Sequence, residues 1–407
     1  MPGYGVSYWS DRTGPSRRRS YPAFRGDDTA DAVIIGGGLT GCLAAFVLAK
    51  GGANVVLFEA DRLARGSTAS SIGAIVPQPD ASFRTVESLS GKRVARTAWK
   101  ETRRAAQEFA TALAKHRINA DLHEAPLLVS AGSADEAADL RREQAARKAA
   151  GVDAAWVTGS AVQAETGLES TGAIRLREAS VIDPVRTTLA LAAKADDAGA
   201  RLFERSEVRR TTFTRKYADV HLASGKIRTT LVYVATGAPG RLFSQLRRHV
   251  HERTGFVVVT EPLNAAMRRE AGKRASIVTE ASAEPHWLRW LADDRAMFAG
   301  AAAAPVAARQ RDKVLVPRTA QLMYELSVRY PVISGLPAKW GWDLPIVSTF
   351  DGLPWIGPHR NYPFHFFAMA FGWHGDSLAW LAARAALRSL RGEWRKDDDA
   401  FGFVRHL

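Results

Sequence analysis

Two short stretches, Ala32 to Ile35 and Val55 to Phe58, are continuously apolar, as strands buried on both faces should be. Between them Leu43, Ala44, Phe46, Val47 and Leu48 continue a helical pattern that Gly51-Gly52 stops. Leu127–Val129, Arg201–Glu204, Leu231–Ala235 and Phe364–Phe371 read as further strands, and Val220 and Leu222 alternate ahead of a Ser224-Gly225 turn. Helical periodicity covers 92–118, where Val94, Ala98, Ala105, Phe109, Ala112 and Leu113 share one face. It recurs over 134–150, 187–198, 319–330 and 378–390. Between 254 and 346 the pattern changes: Phe256–Val259, Trp287–Trp290 and Met297–Ala299 predict strands of an antiparallel sheet. The order predicts an α/β chain, with a Rossmann-like dinucleotide domain and a second domain on a mixed, largely antiparallel sheet. The helices at 92–118 and 134–150 are expected to form a separate cap.

Composition narrows this picture little. The 407 residues suffice for two cores, and 46% hydrophobic with 24% charged residues is ordinary for a globular protein. The single cysteine, Cys42, excludes an intrachain disulfide. No apolar run spans a bilayer, and Arg17, Arg18 and Arg19 precede no apolar stretch, so no membrane span or leader is expected and the cytoplasm is the default. The net charge of +14 raises nucleic-acid binding. The basic residues are scattered and interleave no aromatics in a recognised motif, so no specific nucleic-acid partner is expected.

The chemistry enters with Gly36, Gly38 and Gly41, spaced G-x-G-x-x-G directly after the first strand and opening the first helix. Such a turn lets a phosphate approach the backbone, and the helix N-terminus, through Leu39 and Thr40, offers N–H groups and a positive dipole end. Glu59, with Ala60 after it, ends the second strand 18 residues beyond Gly41, where a carboxylate accepts hydrogen bonds from both ribose hydroxyls. That carboxylate disfavours a 2′-phosphate. The small, polar run Gly66–Ser71 suits an extended ligand or a plain surface loop. A strand ending in Ala235-Thr236-Gly237 brings a second backbone segment close, and Gly372-Trp373-His374-Gly375 precedes another helix.

In this order the pieces resemble the D-amino-acid oxidase-like family of FAD-dependent oxidoreductases, nearest to its gamma-glutamylputrescine oxidoreductase and glycine oxidase branch. The likeness covers roughly residues 4–392. It rests on 36–41 with Glu59, on Ala64–Ser71, on Val181–Arg186, on Gly199–Val208, on Val232–Gly237, and on Ser348–Gly357 with Phe371–Ser377. The resemblance implies noncovalent FAD. Arg65, Gly66, Ser67 and Thr68 match the loop at the ribityl chain, Val208 a backbone contact to adenine, and Ala235, Thr236 and Gly237 a phosphate-proximal strand end. Gly352, Leu353, Gly372, Trp373, His374 and Gly375 match the loops around the isoalloxazine ring. It further implies oxidation of a C–N bond of an amine or amino acid by hydride transfer to flavin N5, with oxygen or another acceptor reoxidising the flavin.

Several positions depart from the family. Trp373 and His374 stand where many relatives carry small or compact residues, and Asp376 adds a carboxylate. No arginine lies in 340–347 to clamp a substrate carboxylate, and no lysine lies in Met297–Gly300, where oxygen-reactive sarcosine oxidases carry one. His374 is the candidate base; the alternative is a histidine that only holds its loop. His286, Trp287 and Arg289 are candidates for the pocket wall with Trp373, against ordinary sheet packing. Expected boundaries are a tail at 1–27, a cofactor domain of 28–90, 160–245 and 345–395, a substrate domain of 91–159 and 246–344, and a tail at 396–407. The rival functions are an FAD-holding subunit with a blocked pocket and an NAD-dependent dehydrogenase.

Overall fold

The computed structural model describes residues 3–14, 19–152, 154–282 and 284–406; Arg17 and Arg18 lie outside them. Two large sheets organise the chain. The first has the strand order Arg201–Phe203, Val55–Phe58, Asp28–Ile35, Gly225–Gly237. These four run parallel, with Ala32 opposite Val55 and Leu231 opposite Ala32. The long strand Gly225–Gly237 is shared: its first half pairs with the hairpin strand Ala218–Leu222, its second half with Tyr362–Met369, parallel. The helices Leu39–Lys50, Pro184–Asp197, Lys92–Lys115 and Asp376–Leu390 contribute to one apolar layer against this sheet. Phe109 stacks on Trp380 at 5.8 Å between two of them.

The second sheet has nine strands in the order Gly3–Tyr4, Ala338–Ser348, His251–Thr260, Ala296–Ala303, Trp287–Trp290, Ile277–Glu280, Leu127–Ala131, Gly172–Leu176, Ala155–Thr158. Its pairings are antiparallel except for Gly3–Tyr4 on Ala338–Ser348 and Ile277–Glu280 on Leu127–Ala131. The helix Arg311–Arg329 covers one face.

The structure departs from the expected layout in four places. Lys92–Lys115 is not part of a separate cap, because Val94, Ala98, Ala105 and Phe109 bury against the cofactor-domain helices. The helix expected at 319–330 starts at Arg311 and accommodates Pro317 in its second turn. Gly172–Leu176, placed by sequence in the first domain, pairs with Leu127–Ala131 in the second sheet. Among the described residues the N-terminal tail is pinned at its aromatic pair, as the sequence allowed, and the C-terminal segment is packed and not a loose tail. Tyr8 and Trp9 are buried and Tyr21 and Phe24 join apolar clusters, while Phe401 is buried and Arg405 is locked to Asp351 by paired hydrogen bonds of 2.8 and 2.9 Å.

Candidate functional site

The glycine turn fixes one end of the site. Gly36 has φ +110°, and a Cβ there would lie 2.6 Å from the Ala235 carbonyl. A Cβ on Gly41 would overlap the Gly36 carbonyl, so the helix approaches the strand only without a side chain. Gly38 caps the helix Leu39–Lys50 and brings no side-chain hydrogen bond. Glu59 is held in place: Gly37 N–H donates to its Oε2 at 2.7 Å and Asp61 N–H to its Oε1 at 2.9 Å. Thr68 accepts from Leu39 N–H at 2.8 Å, tying the Ser67–Ser70 turn to the helix start.

These parts line a groove of about 250 Å³. Of the expected residues, Gly38, Leu39, Thr40, Ser67, Thr68, Ala235, Thr236, Gly237, Gly372, Trp373 and Gly375 border it. Gly36, Gly41 and Glu59 stand behind its wall, Arg65 is exposed and paired with Asp61 at 2.7 Å, and Ala60, Gly66 and Val208 lie off the groove. Gly352 and Leu353 do not reach it; a Cβ on Gly352 would overlap Ala81, so their loop packs behind that segment. Pro184, then Leu344, Pro345 and Val347 of the strand Ala338–Ser348, and Asp376 are further parts of the wall. The groove suits FAD on its own geometry: a glycine-capped helix start, small residues and two backbone strand ends border one slot. Asp376 opens the helix Asp376–Leu390 and faces the groove; burial pushes its carboxyl up to about 7, against the Arg289 charge.

Trp373 is the wall between this groove and a second cavity of about 570 Å³. The cavity is lined by Trp287, Ile346 and Val129 from the second sheet and by Asp80, Glu143 and Arg147. Arg147 donates to Glu143 at 2.7 Å and to Gln78 at 3.0 Å. Glu143 in turn accepts from the N–H groups of Phe83 and Arg84, which start the helix Phe83–Ser90. Arg253 is held bidentate by Glu284, both bonds at 2.8 Å.

The structure brings Trp287 and Trp373 to this cavity but not His286 or Arg289. His286 stacks on Phe298 at 5.0 Å, with Nε2 2.8 Å from Glu325 on the helix Arg311–Arg329 and Nδ1 2.7 Å from Glu280. Strand alternation therefore sends it to the opposite sheet face from Trp287. Arg289 donates through Nη1 to the carbonyls of Ile72, Gly73 and Ile182 at 2.7, 2.8 and 3.0 Å, and burial lowers its pKa to about 10. It ties the segments at Ile72–Gly73 and Ile182 to the strand Trp287–Trp290 and borders neither the groove nor the cavity.

His374 is buried and lines neither space. Its ring lies 4.8 Å from Trp287, and desolvation lowers its pKa to about 3. Nδ1 is 3.3 Å from Asp80 Oδ1, yet without the alignment of a hydrogen bond, and Nε2 has no partner in the structure. Sequence reasoning did not single out Asp80. Its only signal was a carboxylate closing the otherwise uncharged run from Ser67 to Pro79.

Among the described residues no helix is long and apolar enough to cross a membrane, and no cluster of three His, Cys, Asp or Glu side chains suits a metal ion. Among solved structures, the chain resembles glycine oxidase from Geobacillus kaustophilus (TM-score 0.77, 20% identity, 93% of this chain and 99% of that one). It also resembles L-proline dehydrogenase from P. horikoshii (TM-score 0.76, 18% identity, 93% of this chain and 98% of that one). In sequence it is 23% identical over 384 residues to gamma-glutamylputrescine oxidoreductase of Escherichia coli, across 93% of this chain and 87% of that protein. The profile described as DAO, FAD dependent oxidoreductase, matches residues 31–388. The chain belongs to the DAO family of FAD-dependent oxidoreductases.

Proposed function

We propose that this oxidoreductase removes two electrons from the C–N bond of a small amine or amino acid. The observation that carries the reading is the pair of spaces meeting at Trp373: a groove built for a dinucleotide and a polar cavity beside it. Two of its relatives, a glycine oxidase and a gamma-glutamylputrescine oxidoreductase, bear names of that chemistry. FAD supplies the hydride acceptor; the chain supplies placement, exclusion of water and proton handling.

On this reading Gly38, Leu39, Thr40 and Thr68 hold the pyrophosphate, Glu59 the ribose, and Trp373, Gly375 and Asp376 border the ring system. The helix Asp376–Leu390 aims its positive end at that border, favouring negative charge there. FAD is bound without a covalent link through cysteine, because Cys42, the sole cysteine, is buried inside the helix Leu39–Lys50. The compartment in this proposal is the cytoplasm, and the acceptor is oxygen or another carrier.

The test is an anaerobic screen. Purified holoprotein is mixed with a panel of primary and secondary amines and amino acids, and bleaching of the flavin band near roughly 450 nm is followed. The reading expects at least one amine to bleach it. A flavin that photoreduction bleaches but no member of the panel does points instead to an FAD-holding subunit whose pocket Trp373 blocks.

A further inference from the structure

We propose that Asp80 takes the proton from the substrate's ammonium group, with His374 behind it as a positioning residue. The proposal rests on the amine reading above. Asp80 is on the cavity wall next to Trp373, whereas His374 borders neither space. A ligand in the cavity therefore reaches the carboxylate and not the imidazole.

The loop is shaped around this carboxylate. Gly372 has φ +73°, and a Cβ there would overlap Asp80 Oδ2. The Trp373 N–H donates to the same side chain. Behind it, Ala81 rests on Gly352. Trp287, whose Nε1 has no partner in the structure, packs on His374 at 4.8 Å.

The charges around the cavity single Asp80 out. Arg147 is paired with Glu143, Arg253 with Glu284, Glu280 with Arg329, and Arg84 lies 3.8 Å from Asp139. Among the described residues no lysine or arginine pairs with Asp80; the basic side chain within 4 Å of it is His374, which burial keeps neutral. A half-buried carboxylate on a cavity wall with no cation beside it is matched to a cationic ligand. Burial also raises the Asp80 carboxyl to about 7, which suits a base that loads and unloads a proton near neutrality.

The step balances without an oxidant. One N–H bond of the ammonium breaks, its electron pair stays on nitrogen, and the proton binds a carboxylate oxygen of Asp80. The neutral amine so formed is the species that FAD then oxidises. His374, 3.3 Å away, presses on Oδ1 and fixes which oxygen faces the cavity.

The experiment is anaerobic stopped-flow reduction of the holoprotein from pH 5.5 to 9, with the fastest amine of the panel. The wild type is expected to show a limiting rate that rises with pH near 7; the Asp376 carboxyl at the groove titrates in the same range, so the Asp80 limb is the part of the rise that substitution of Asp80 removes. Asp80→Asn should be roughly 100-fold slower and lack that limb, with FAD content unchanged. His374→Gln should keep the limb and move its midpoint, a readout that a merely structural histidine would not shift. An Asp80→Asn protein within about threefold of wild type, with its pH limb intact, overturns the assignment. If that variant does not fold, Asp80→Ser replaces it, and a pH limb that survives in it overturns the assignment equally. A wild-type flavin that no amine bleaches rejects the amine reading and the assignment together. A bleached wild type with an equally fast Asp80→Asn rejects the assignment alone.

Discussion

Glu59 does two jobs with one carboxylate. It closes the glycine turn through the N–H groups of Gly37 and Asp61, and in the function proposed above it also meets the ribose. Glu59→Ala should therefore weaken FAD binding at least tenfold, since each charge-assisted hydrogen bond is worth roughly 1.5–3 kcal/mol. Titration of apoprotein with FAD, followed by flavin fluorescence, measures this; an unchanged affinity removes Glu59 from the cofactor site. This residue was legible in sequence because local spacing alone places it: a strand, a turn, a helix and a second strand leave it little freedom. Asp80 and Arg147 were not legible. Both acquire meaning from partners far along the chain, Asp80 from Gly372–His374 and Arg147 from Gln78. His286 and Arg289 show the converse. Their composition suggested a pocket, but strand alternation and three backbone carbonyls claim them for the scaffold.

The loop Gly372–Gly375 acts as one element, and Trp373 is its working surface. Trp373 packs against Gly255, where a Cβ would lie 2.8 Å from the indole. Trp373→Gly should join the groove to the cavity and broaden the range of amines that bleach the flavin, with FAD retained. An unchanged substrate range across the same panel would show that the indole does not set selectivity. A second element holds the other side. Arg405, on the 3-10 turn Phe403–His406, donates to both oxygens of Asp351 and to the carbonyls of Leu353 and Pro354. Both side chains are fully buried, and removing one partner of such a pair costs about 3–5 kcal/mol. Arg405→Met should lower stability to denaturant by that amount at neutral pH. Burial alone would raise the Asp351 carboxyl, but Arg405 outweighs it and holds it at about 2. The folded value lies below the unfolded one, so this stabilisation is complete above the ordinary carboxylate range and fades as pH falls towards 2. The gap between wild type and Arg405→Met should accordingly narrow on acidification; a gap constant from pH 7 to 3 would contradict the ion-pair account. Helices with unbroken apolar stripes, such as Lys92–Lys115, were readable along the sequence, whereas their packing partners were not. The start of Arg311–Arg329 escaped because Pro317 reads as a stop.

At the scale of the molecule, the α/β class and the presence of a second, largely antiparallel sheet were legible, because buried parallel strands and alternating strands leave different patterns. The strand order was not, since it depends on pairings hundreds of residues apart. The same sheet carries the strand on which the resemblance set out above bases an expectation of slow reaction with oxygen. Ala296–Ala303 lies within the second sheet between His251–Thr260 and Trp287–Trp290, and Met297, Phe298 and Ala299 are buried there with no lysine among them. Photoreduced protein mixed with oxygen should reoxidise slowly, which stopped-flow absorption at the flavin band reads directly. Reoxidation as fast as that of a dedicated oxidase would reject the link to this strand and make oxygen the natural acceptor.

The strand Gly225–Gly237 has one parallel neighbour from the first tenth of the chain, Asp28–Ile35, and the other from the last eighth, Tyr362–Met369. During synthesis the second half, paired on one side with Asp28–Ile35, therefore keeps its other edge open until the ribosome has delivered residues 362–369. Such an edge recruits foreign strands if it waits too long. The cofactor slot is unfinished for the same interval, because Phe371 to Asp376 form part of its wall. Flavin capture thus has to follow synthesis of residues 371–376, and a nascent chain stalled before residue 362 should be a client for chaperones and not for FAD.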